Sequence, residues 1–125
     1  MSDDQKNILG TLLQPCSFEP LTGWLRDGCC SSGPGDVGRH HVCAVMTEEF
    51  LAFSTSVGND LATPRPEYGF PGLKPGDRWC LCASRWEEAR QAGFAPSVIL
   101  ESTPHLALEV THLGYLQAHA HQETA

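Results

Sequence analysis

The chain predicts a two-layer α+β fold, a small mixed β-sheet covered by three or so helices, within a single domain of 125 residues. Three observations carry that expectation. The runs Val42 to Met46 and Trp79 to Ala83 are apolar on both faces and read as buried strands. Each is followed at once by a helix-start signal, Thr47 before Glu48 and Glu49, and Ser84 before Glu87. A third short apolar run, Ser97 to Leu100, follows Pro96 and leads into Thr103-Pro104, a helix start with proline at the first position. Strand and helix therefore alternate three times.

In chain order, residues 1–7 read as a disordered tail, and Ile8 to Leu13 as a short strand ended by Gln14 and Pro15. Gly23 to Arg26 is a second extended piece that enters the turn dipeptide Asp27-Gly28, with Cys29 and Cys30 directly after it. Ser31 to Gly38 is dense in Gly, Pro and Asp and reads as a loop. After the first strand, Thr47 caps a helix whose acidic first turn suits the positive end of the peptide dipoles. Phe50, Leu51, Ser54 and Val57 mark its inner face, and Gly58 stops it. The connection from Asn59 to Gly76 is rich in Pro and Gly, of the length that is functional or wraps the surface. In the second strand Cys80 and Cys82 are expected on one face and Trp79, Leu81 and Ala83 on the other. A capping box between Ser84 and Glu87 opens the next helix, which stops at Gly93. Thr111 to Ala120 is expected to form a last short helix.

Composition bounds the function. Eight Lys and Arg against fifteen Asp and Glu give a net charge of −7, which disfavours nucleic acid and anionic membrane as partners. No apolar run approaches the roughly 20 residues that span a bilayer. The opening MSDDQKN lacks the basic and apolar regions of a secretion signal, so a cytoplasmic location is expected. In that compartment the six cysteines are expected as thiols, metal ligands or nucleophiles rather than disulfides.

Four blocks, TGWLRDGCC (22–30), GPGDVGRHHVCAVMTEEFLAFS (33–54), GNDLATPRPEYGFPGLKPGDRWCLCASRWEEA (58–89) and AGFAPSVILEST (92–103), resemble a bacterial family of uncharacterised small proteins, a domain of unknown function. The resemblance implies a compact two-layer α+β domain and brings with it no activity, cofactor or catalytic residue. Where the family commonly has Ala-Thr-His-Glu after the third strand, this chain has Ser102-Thr103-Pro104-His105. The family's histidine before Val-Cys-Ala falls on His40.

Two constellations point to chemistry. In the first, Cys29 or Cys30 is a turn-borne nucleophile with His40 as base. Arg26, Asp27, Asp36, Asn59, Asp60, Asp77, Trp79 and Arg85 would build the surrounding pocket for a small-molecule ligand, its charged groups available to orient His40 or to bind a carboxylate or phosphate. In the second, Cys43, Cys80 and Cys82, with a fourth ligand from His40, His41, Cys29 or Cys30, hold zinc in a non-catalytic, metal-stabilised or interaction module. Against the metal, a C-x-x-C knuckle is absent, and buried cysteines are commonly plain core residues. The three histidines at 105, 112 and 119 read as a solvated stripe. Cys82 reads as part of a rigid floor and Cys30 as reactive, so Cys82→Ser is expected to harm folding and Cys30→Ser to harm activity.

Overall fold

The computed structural model describes residues 6–18, 22, 28–30, 40–68, 70 and 72–121. Its sheet consists of β1 (Val42–Val45), β2 (Arg78–Leu81) and β3 (Ser97–Val98), in the order β2-β1-β3. The helices are α1 (Glu48–Ser56), α2 (Ala83–Ala92) and α3 (Leu113–Ala118), joined by short 3₁₀ turns at Pro66–Tyr68, Leu100–Ser102 and His105–Glu109. This is a small α+β fold. Both strand pairs in the sheet are antiparallel, and its parallel component is one isolated bridge, Val98 to Ala120.

The register decides what each face carries. Val42 lies opposite Leu81, Cys43 opposite Cys80, and Ala44 opposite Trp79. Paired residues share a face and successive residues alternate. One face therefore presents Val42, Ala44, Trp79 and Leu81 to the main core, which also takes Phe50 and Leu51 of α1, Trp86 and Ala89 of α2, Val98 and Leu116. The other presents Cys43 and Cys80 to a separate buried cluster with Cys16, Cys30 and Ile99. Both faces are apolar because both are covered.

Neither sheet edge is left bare, as a strand edge with unpaired amides invites association. On the β2 side the Cys80 amide donates to the Thr22 hydroxyl (2.8 Å). On the β3 side Val98 donates to the His119 carbonyl and His121 to the Val98 carbonyl, so the chain beyond α3 extends the sheet.

Thr47 caps α1 as expected, its hydroxyl accepting from the Phe50 amide at 3.1 Å. Phe50, Leu51 and Ser54 are buried, but Val57 is exposed, since the helix ends at Ser56. The capping box on α2 does not form. Ala83 is already helical, so Cys82 takes the N-cap position, no side chain caps it, and Ser84 lies inside the first turn. Glu87 turns instead to Arg90, Gln91 and the Thr111 hydroxyl. Gly93, at φ 88°, ends the helix in the left-handed conformation. Trp86 is fully buried and donates its indole N–H to the Pro96 carbonyl (3.1 Å).

The segment Ile8 to Leu13 is a turn rather than a strand. Buried Asn7 organises it: the side-chain amide donates to Thr11, Leu12 and Glu101, and its carbonyl accepts from the amides of Leu9 and Thr11. One polar residue thus supplies the hydrogen bonds that a strand partner would have provided. Beyond Pro104 the chain is 3₁₀ rather than α-helical, then bends at Thr111 before α3. The extended piece expected at 23–26 and the loop expected at 31–38 lie outside the described residues.

Candidate functional site

A cavity of about 210 Å³ opens beside the main core, lined by His40, Asn59, Leu61, Trp79, Leu81, Cys82 and Arg85. Each wall follows from a local rule. His40 stands just before β1. Asn59 follows Gly58, whose positive φ turns the chain out of α1, and its carbonyl accepts from the buried Ser54 hydroxyl (2.6 Å). Trp79 and Leu81 project from the core face of β2, and the Phe70 ring meets Trp79 edge-on with centroids 5.3 Å apart. Cys82 and Arg85 belong to the start of α2, where main-chain amides and the helix dipole favour negative charge. The Cys82 sulfur lies 3.1 Å from the Ser84 hydroxyl, and Arg85 reaches Glu88 at 3.2 Å.

The site thus combines a thiol, an imidazole, a guanidinium and a carboxamide around an apolar floor. The guanidinium can hold an oxyanion in bidentate fashion, and the imidazole offers a ring nitrogen as hydrogen-bond donor or acceptor. The volume suits a ligand of a few heavy atoms, below the range typical of drug-sized pockets.

Of the residues singled out in the sequence, His40, Asn59, Trp79 and Arg85 come together here, joined by Cys82, which was expected as a metal ligand. Asp60 does not line the cavity. It accepts from the amides of Ala62 and Thr63 in its own turn, and the hydrogen bond from the Thr63 side chain, ahead of these amides and Arg65, lowers its pKa. Asp77 likewise closes a turn, accepting from the Lys74 amide at 2.9 Å. Arg26, Asp27 and Asp36 lie outside the described residues.

The cysteines divide differently from the expectation. Four of them form two disulfides, Cys16–Cys43 and Cys30–Cys80. Cys30 is fully buried and bonded, so in this state it offers no nucleophilic thiolate; the role proposed for it does not fit the structure. Cys29, half-buried, and Cys82 are the thiols outside the disulfides. The expected metal set also breaks up. Cys43 and Cys80 share the second face of the sheet, but β2 ends at Leu81, so the alternation that would have placed Cys82 beside Cys80 is interrupted by the helix start. Cys82 faces the cavity instead. The sulfurs that do converge are those of Cys16, Cys30 and Cys80, all within 4.8 Å of one another. Cys16 was missed because it sits alone in a coil segment with no motif around it. The place of Cys82 turned on one residue of helix boundary: the helix begins at Ala83 rather than after Ser84, which leaves Cys82 at the N-cap.

One strongly perturbed acid lies among the described residues outside this site. The bidentate hydrogen bond from Arg90 lowers Glu87 from near 4.5 to about 2, helped by Gln91 and Thr111 and opposed by partial burial. Arg90 in turn lies over the Tyr115 ring, 3.6 Å from its centroid, so the cluster ties α2 to α3. It is structural.

Fold and site together define a small α+β protein whose sheet is helix-covered on one face, sulfur-bridged on the other, and ends at a thiol-bearing cavity. The chain belongs to the family described as uncharacterized protein conserved in bacteria (DUF2237), whose model matches residues 6–120. No curated protein matches it. Among the described residues no helix is long and apolar enough to cross a membrane.

Proposed function

We propose that this protein binds a small ligand bearing an oxyanion, a carboxylate or phosphate group, and presents the Cys82 thiol to it. The observation that carries the reading is the convergence of His40, Asn59, Cys82 and Arg85 on one small cavity. Arg85 and the amides opening α2 hold the anionic group, His40 accepts the thiol proton, and Trp79 and Leu81 exclude water from the ligand's apolar part. The thiol role expected at Cys29 or Cys30 thus passes to Cys82, with His40 keeping its place. The net charge of −7 supports a small ligand over a polyanion such as nucleic acid. In the cytoplasm thiol reductants would maintain Cys82 in its reacting form, and the two disulfides, whose four cysteines are all buried, would have to withstand the same reductants.

Competitive alkylation tests this. A thiolate attacks the methylene carbon of iodoacetate and of iodoacetamide in the same way, forming the S–C bond and expelling iodide, but only the former carries a carboxylate. Cys29 serves as the internal reference within each digest. Cys82 is expected to favour iodoacetate over iodoacetamide relative to Cys29, and Arg85→Gln is expected to abolish that preference. Equal reagent ratios at the two cysteines, or a preference unchanged in Arg85→Gln, would refute the reading.

A further inference from the structure

The second face of the sheet holds the inference the structure carries furthest. The two disulfides are not separate staples. The sulfurs of Cys16, Cys30 and Cys80 lie within 4.8 Å of one another, and Cys43 is bonded to the first of them, so four sulfurs occupy one buried knot. The four side chains form a cluster of their own, apart from the main core, with Ile99 packed against it. Two of the four, Cys43 and Cys80, stand directly opposite each other on adjacent strands. The other two arrive from irregular segments, whose approach is held by the Cys16 amide on the Gly28 carbonyl at 2.6 Å and by the Thr22 hydroxyl under the Cys80 amide.

Tetrahedral zinc holds thiolate sulfurs at about 2.3 Å, hence about 3.8 Å from one another. The sulfurs of Cys16, Cys30 and Cys80, within 4.8 Å of one another, lie at most about 1 Å beyond that edge length. Reduction frees each side chain to rotate about its Cα–Cβ bond, so that the bonded pairs can part and the Cys43 sulfur can close on those of Cys30 and Cys80. We propose that the reduced protein binds one thiophilic divalent metal ion, zinc being the natural choice, through Cys16, Cys30, Cys43 and Cys80. The cluster then has two alternative cross-linked forms, a pair of disulfides or a four-thiolate metal centre. The conversion balances with a dithiol as reductant. Two dithiols transfer four electrons and four protons to the two disulfides, giving four thiols and two oxidised dithiols. The metal then displaces the thiol protons to solvent as the four thiolates bind it. This ligand set differs from the one read in the sequence: Cys82 is absent from it and Cys16 and Cys30 complete it. It is also independent of the cavity, which lies on the opposite side of β2.

The test uses the full chain reduced with a dithiol, freed of reductant without air, and titrated with zinc and separately with cobalt(II). The expected result is about one equivalent bound, with thiolate-to-cobalt charge-transfer absorption and tetrahedral d–d bands. Alkylation mapping by mass spectrometry should then show Cys16, Cys30, Cys43 and Cys80 protected by metal while Cys29 and Cys82 still react. Mapping on the unsubstituted protein keeps the test decisive even where ligand variants fail to fold. Cys29→Ala with Cys82→Ala should bind the metal unchanged. No uptake by the reduced protein, uptake lost in that double variant, or protection falling on Cys29 or Cys82 would each overturn the proposal.

Discussion

Replacing both Cys30 and Cys80 by alanine removes the longer of the two cross-links and leaves the shorter in place. The bridge spans 50 positions, and closing a loop of that size in the unfolded chain costs about 4 kcal/mol at 25 °C in the chain-entropy account. The full amount is not expected to appear, because Cys16–Cys43 spans 27 positions and overlaps the same stretch, so part of the constraint survives. About 2–4 kcal/mol is the working range. For a chain of 125 residues an entropy of unfolding near 2.1 cal/mol/K per residue converts each kcal/mol into about 4 °C. The oxidised, metal-free variant should therefore melt about 8–15 °C below the oxidised wild type. Scanning calorimetry under non-reducing conditions measures this directly, with Cys29→Ala as the control that should shift little. A melting temperature within about 3 °C of wild type would show that the bridge does not constrain the unfolded chain as this reasoning requires.

Other expectations follow from single contacts. Trp86→Phe should cost about 2–3 kcal/mol in urea unfolding, because it leaves the Pro96 carbonyl without its indole donor and empties part of a fully buried site. Thr47→Ala should cost about 1 kcal/mol in the same assay through loss of the cap on the Phe50 amide. Because Glu87 titrates at about 2 when folded and near 4.5 when not, its contribution is present above the higher value and is lost as pH falls towards the lower. Glu87→Gln should remove about 1–2 kcal/mol at neutral pH, discounted from the full shift because both partners are partly hydrated, and should flatten the stability profile between those values. Gly72→Ala should destabilise by about 2 kcal/mol or more in thermal melts, since its φ is 81° and an added Cβ would lie 2.6 Å from the Ala62 carbonyl oxygen.

The disulfide at Cys30 contradicts the reactive role read for it from the sequence, and the proposed site assigns the thiol to Cys82 instead. Cys30 is now the residue whose loss should harm folding, and Cys82 the one whose loss should empty the cavity of its thiol. Alternation along a strand is readable from sequence, and it correctly separated Cys80 from Trp79 and Leu81. The point where the strand stops is not, because a Cys-Ala-Ser run suits a strand end and a helix start equally. A one-residue difference in that boundary moved Cys82 from one side of β2 to the other. Similar ambiguity underlies Ile8 to Leu13, where the hydrogen bonds of Asn7 replaced a strand ladder that the apolar run alone suggested.

Local order was legible in the chain because it depends on neighbours within a few residues. The Thr47 cap, the stops at Gly58 and Gly93, the two-faced burial of Val42 to Val45 and Arg78 to Leu81, and the presence of three helices all follow from such spacing. Membership of the cavity was half legible: His40, Asn59, Trp79 and Arg85 could be named, whereas Leu61, Leu81 and Cys82 depended on how the long connection after α1 returns to β2. The pairing of the cysteines was decided only by the tertiary structure. Six cysteines allow many pairings, and no local rule brings Cys16 to Cys43 or Cys30 to Cys80. The antiparallel register that sets Cys43 against Cys80, together with irregular segments laid over that face, brought the four sulfurs into one cluster. Such contacts cross tens of residues, and it is the packing of the whole chain, rather than any stretch of it, that selects them.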